Sequence, residues 1–160
     1  ASGSAMTWQL NDASKVAGVG YDLIVASTLD LSGLSAANRA TLNLMTLANA
    51  SDNVSGTPLV FSKAVTQSFT LINYSSLNLG TNTNVSSLFN INVNGFVAQD
   101  GSTLNASDFA VINDVANNSL KITYYSPVPE PSTYGLALGF LSLAAVAVRR
   151  RRPQSVASKA

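Results

Sequence analysis

Along the first 125 residues, apolar side chains recur at every second position in short runs, the period of an extended strand with one face turned inward. Residues 6–11 place Met6, Trp8 and Leu10 on one face, residues 22–31 end in Leu29 and Leu31, and residues 41–47 carry Leu42 and Leu44. The same alternation predicts strands over 59–62, 68–74, 88–93 (Phe89, Ile91, Val93), 109–113 and 120–124 (Leu120, Ile122, Tyr124). Between them stand turn formers such as Gly18-Val-Gly20, Ser51-Asp-Asn53, Gly80-Thr-Asn82, Asp100-Gly101 and Asn117-Asn118, residues that tolerate left-handed backbone or bond their own main chain. Asn117-Asn118 is expected to turn a hairpin between 109–113 and 120–124. Helical spacing is almost absent, and only residues 35–39 suggest a single helical turn. About eight short strands with polar turns specify an all-β body, either a β-sandwich or the closing coils of a β-solenoid. No fixed repeat period selects the solenoid.

The pattern breaks after Tyr125. Pro127, Pro129 and Pro131 stop both ladder and helix, giving an extended spacer over residues 126–133. Residues 134–148 then carry no charge, and Arg149, Arg150, Arg151 and Arg152 follow at once. With Ser132 and Thr133 the uncharged run reaches 17 residues, about 25 Å as a helix and the lower limit for crossing a bilayer. Its anchoring residues are Tyr134, Gly135, Leu136, Leu138, Phe140, Leu141, Leu143, Val146 and Val148, with Tyr134 where an interfacial aromatic belongs. Basic residues beside a membrane segment stay cytoplasmic, so the arginines act as a stop signal and the body faces away from the cytoplasm. The expected organisation is an extracytoplasmic β domain (1–125), a spacer (126–133), one transmembrane helix (134–148) and a basic cytoplasmic tail (149–160).

Charge sharpens this division. Residues 1–128 hold four basic side chains against seven aspartates, while residues 129–160 hold five arginines and lysines against Glu130 alone. A nucleic-acid binder spreads basic groups over its folded surface; an acidic body with a basic terminus argues against nucleic acid as a partner. The sequence has no cysteine and no histidine. That removes disulfides, thiol nucleophiles, imidazole-dependent triads and the usual zinc ligands. Residues 1–6 lack the charged and apolar regions of a signal peptide, so an exported chain is expected to carry its leader upstream.

Val128-Pro129-Glu130-Pro131-Ser132, one short apolar segment and an arginine cluster, in that order near the terminus, resemble the PEP-CTERM sorting signal. The resemblance implies that an exosortase-type enzyme recognises Pro129, Glu130 and Pro131, that residues 134–148 anchor the chain transiently in the inner membrane, and that the product passes to the envelope, surface or medium. The body resembles the closing regions of bacterial surface proteins with autotransporter-associated β-strand repeats, through Thr7-Trp-Gln-Leu-Asn11, Gly20-Tyr-Asp-Leu-Ile24, Leu29-Asp-Leu-Ser-Gly-Leu34, Thr41-Leu-Asn-Leu44, Phe69-Thr-Leu-Ile72 and residues 107–124. That similarity implies the last coils and cap of a β-helix.

Candidate chemistry in the body is sparse. Asp100, Asp108 and Asp114, with Asn105 and Asn113, offer oxygens to calcium, but the spacing of a calcium loop is missing and these are turn residues first. Asp12, Asp22 and Asp30 contain no spacing that selects a catalytic pair. Trp8, Tyr21, Tyr74, Tyr124 and Tyr125 would form a sugar-stacking platform if exposed together, although Trp8 and Tyr124 fall on inward faces. The reading is therefore a non-enzymatic surface or matrix protein with no catalytic residue, metal or cofactor. Its partners are the processing enzyme and the inner membrane, with self-association or an extracellular polysaccharide beyond them. The alternative is a polysaccharide-binding module.

Overall fold

The computed structural model describes residues 4–51 and 54–127. Their regular structure is mostly strand: β1 (Ala5–Leu10), β2 (Ile24–Asp30), β3 (Ala40–Thr46), β4 (Gln67–Asn78), β5 (Phe89–Gly95), β6 (Phe109–Asp114) and β7 (Ser119–Tyr124). Short 3₁₀ turns at Val85–Leu88, Ala106–Asp108 and Val115–Asn117 are the helical elements among these residues. A compact unit runs through Pro127.

The strands form two open sheets, ordered β1-β3-β5 and β2-β4-β7-β6, and neither closes into a barrel. From β1 to β5 the chain alternates between the sheets, so each pass lays a parallel strand beside the one before. Met6 lies beside Leu42 and Leu42 beside Ile91. The two passes thus differ in length, which is why no period is visible in the sequence. Between strands, antiparallel pairing begins only at the end, where β7 joins β4 and β6 joins β7.

Alternation puts one face of each sheet inside. Trp8, Leu10, Leu42, Leu44 and Phe89 from the first sheet meet Phe69, Leu71, Val111, Ile122 and Tyr124 from the second in one core. A chain of aromatic contacts runs through it: Tyr21 and Trp8 pack on Phe69, Phe69 on Phe61, and Phe61 on Phe96 and Tyr124, with ring centroids 5.0–6.3 Å apart. Each such ring removes some 150–250 Å² from water, the dominant stabilising term for a body without disulfides.

The expected hairpin is present. Phe109 pairs with Tyr124 and Asp114 with Ser119; Asn118 closes the turn in left-handed backbone at φ 47°, a conformation asparagine tolerates better than most residues. Two expectations fail. Residues 59–62 are not a strand: Leu59 makes a single parallel bridge to Asp12, and Val60 then turns to φ 61°, ending any ladder. Residues 35–39 are not a helical turn, because Ser35 and Asn38 exchange main-chain hydrogen bonds of 3.0 Å in each direction and make a tight two-residue reversal. The strand expected over 68–74 is longer than its pattern, since β4 continues to Asn78 after exchanging β7 for β2 as its partner.

Candidate functional site

The recognition element Val128 to Ser132, the apolar segment from Tyr134 to Val148 and the arginines from Arg149 to Arg152 lie outside the described residues, as does the expected transmembrane helix. Among the described residues no helix is long and apolar enough to cross a membrane. What the structure does place is the point where the body hands the chain to that signal. Tyr124 is fully buried, and its hydroxyl donates to the Lys63 carbonyl at 3.2 Å. The Tyr125 amide donates to the Asp108 carbonyl at 2.7 Å. Ser126 is held twice more: its amide donates to Thr66 Oγ1 at 3.2 Å, and its hydroxyl donates to the same Lys63 carbonyl at 2.7 Å. Last strand and exit are thus latched to the 63–66 turn. Val65 and Tyr125 flank the latch with 47% and 48% of their surfaces exposed.

Lys63 also reaches Asp100 across 3.0 Å. The Ser102 hydroxyl and amide, with Lys63 beside them, hold the Asp100 carboxyl down to about 2. The other candidate calcium ligands are engaged separately. Asp108 accepts from the Asn105 amide, Asp114 pairs with Lys121 at 2.6 Å and accepts from Asn117, and Asn113 accepts from the Tyr74 hydroxyl. Asp12 and Asp30 each bind the hydroxyl and amide of the serine two positions on, which lowers both carboxyls. Among the described residues no three acids gather as metal ligands. A shallow hollow of about 330 Å³ beside β1 is lined by Gln9, Asn11, Tyr21 and Asp22, and among the described residues no second acid lines it.

The sugar-stacking candidates are not assembled. Trp8, Tyr74 and Tyr124 are core residues, and half-buried Tyr21 packs against Trp8 and Phe69; Tyr125 alone of the five is well exposed. The outward face of the first sheet is uncharged instead and, Ala5 and Met45 apart, polar. Thr7 stands beside Asn43 and Asn43 beside Asn92, with the Asn92 amide donating to Asn43 Oδ1 at 2.9 Å.

A feature that sequence reasoning missed is the cover on the outer edge of β1. The Asp22 carboxylate accepts the Gln9 amide at 2.9 Å, the Asp22 amide donates to the Gln9 carbonyl at 3.0 Å, and the Asp22 carbonyl accepts the Trp8 indole at 2.8 Å. Asn11 and Asp12 donate in turn to the Gly20 carbonyl. Gly20 fits because a Cβ there would stand 2.2 Å from the Asp12 carbonyl oxygen. The adjacency of Gly18 and Gly20 signalled a turn, but nothing in the spacing showed that it would fold back on β1.

Residues 127–152 match the family model described as the PEP-CTERM protein-sorting motif. No curated protein and no solved structure matches the chain. The matched segment begins at Pro127, one residue after the latched Ser126. The chain therefore carries, directly behind a folded β body, the sorting signal of an exported protein, of the type that exosortases recognise.

Proposed function

We propose that this protein is a non-enzymatic component of the bacterial surface or extracellular matrix, exported, held in the inner membrane by the segment 134–148, processed by an exosortase-type enzyme at Pro129 to Pro131, and passed to the envelope or medium. The observation that carries this reading is the match over 127–152 placed immediately behind the body. The body is the closing part of a β-solenoid, a reading supported by the parallel winding of β1 to β5 and by its antiparallel finish. Its uncharged Thr/Asn face and buried aromatics favour a structural role over recognition of a polysaccharide by stacking.

Changing Glu130 and Pro131 together to alanine is expected to leave export and folding intact while stopping processing, so that the uncut form accumulates in the inner membrane. Fractionation of a producing cell, with an epitope in the exposed loop at Thr81 to Asn84, reads the outcome. Arrival of the altered protein at the surface or in the medium at wild-type size and yield would overturn the sorting reading.

A further inference from the structure

We infer that the enzyme which processes this signal docks on the body itself, on the surface around the latched exit where Val65 and Tyr125 are exposed. The inference rests on the sorting reading above and goes beyond it by naming a surface of the body as part of the substrate. Ser126 is fixed by the Thr66 hydroxyl and the Lys63 carbonyl, and Pro127 and Val128 alone separate it from Pro129. Three residue steps of fully extended chain span at most about 11 Å. A single α-helix with its side chains is already about 10–12 Å across. A protein that closes around Pro129 therefore meets the body whenever the latch is shut.

The surface it meets suits a protein partner. Val65 and Tyr125 stand at the exit with about half their area in water, and tyrosine is among the residues that most often anchor interfaces. The 3.0 Å pair of Lys63 with Asp100 supplies a polar rim beside them. Asp100 and Asp108 at the same end make an anionic lipid surface the poorer fit. The two Ser126 bonds of the latch lie beyond Tyr124, where β7 ends in the core.

The test follows processing of the full chain in a producing cell by pulse-chase, in four forms: wild type, Val65→Ser with Tyr125→Ser, a flexible 12-residue Gly/Ser insertion between Pro127 and Val128, and both changes together. The double substitution is expected to slow processing at least about fivefold, the effect of losing interface residues worth about 1 kcal/mol. In the insertion background, where the enzyme holds Pro129 clear of the body, the same substitution should have no further effect. A wild-type rate for the double substitution overturns the inference, as does an insertion that speeds processing, which would make the body an obstacle. An equal slowing with and without the insertion also overturns it, because that is how a contact with the membrane would behave. Val65→Ser alone, with its melting temperature checked, stands in if the double variant unfolds. Glu130→Ala with Pro131→Ala is carried in every background: if that variant is still processed, the sorting reading has failed, and the docking inference with it.

Discussion

Val60 shows how one side chain can set the backbone of its neighbour. A β-branched residue at φ 61° is rare and costs about 1–3 kcal/mol. It persists because Phe61 is fully buried, with ring contacts to Phe69, Phe96 and Tyr124; burying a phenylalanine contributes about 1.5–3 kcal/mol, enough to offset the strain. The main chain is pinned on both sides, by Leu59 to Asn11 and Ala13 and by the Phe61 carbonyl to Gln99. Val60 itself is 53% exposed, so its side chain contributes little. Val60→Gly should therefore raise the melting temperature, with a gain of about 1 kcal/mol after the greater freedom of glycine in the unfolded chain is allowed for. Val60→Ala, still an L residue at positive φ, should gain less. A glycine variant that melts at or below wild type would show that the turn is not strained.

At the level of elements, the first sheet ends in β1, whose sequence contains no proline and no charge to discourage pairing with another chain. The cover supplied by Asp22 and Gly20 takes over that task for Gln9, Asn11 and Asp12. Asp22→Ala should remove the carboxylate's hydrogen bond to the Gln9 amide at a cost of about 1 kcal/mol and loosen a cover whose main-chain bond to the Gln9 carbonyl remains, so the variant should sediment as larger species at concentrations where wild type does not. A lower melting temperature with unchanged sedimentation would mean that the cover stabilises without protecting. This element also marks the limit of what the pattern could reveal. Alternation located β1, β3, β5, β6 and β7, because each turns Trp8, Leu42, Ile91, Val111 or Ile122 toward a single core. It failed at 59–62, where Phe61 needed to enter the aromatic cluster and the backbone yielded. It could not show which strands pair in parallel, since that depends on unequal loops returning to one edge. The composition of the Pro-Glu-Pro element made the signal legible, whereas the latch did not announce itself: Ser126 looks like the start of a spacer until Lys63 and Thr66 are seen beside it.

For the whole molecule, the absence of histidine and cysteine means that no side chain with an ordinary pKa titrates between about pH 5 and 9, so stability should be flat across that range. The acid limb is set by carboxylates whose folded pKa is depressed: Asp100 to about 2, by the Ser102 hydroxyl and amide and by Lys63, and Asp12, Asp30 and Asp114 in the same direction through Ser14, Ser32 and Lys121. A depressed folded pKa means that the unfolded chain binds more protons in acid. The contribution of Asp100 is thus complete above the unfolded value near 4 and is lost as pH falls through its folded one near 2, and those of the other three are lost in the same direction. The alkaline limb has the opposite sign. Burial raises the Tyr74 and Tyr124 hydroxyls, so their contribution is complete below about pH 10 and is lost as pH rises past the folded value. Melting temperatures measured from pH 2 to 11 should therefore form a plateau with a fall at each end. Asp100→Asn should melt below wild type on the plateau and converge with it as pH approaches 2, because protonation leaves wild type in the same uncharged state. A midpoint that moved between pH 6 and 8, or an Asp100→Asn curve that stayed parallel to wild type down to pH 2, would show that these carboxylates do not set the acid limit of the fold.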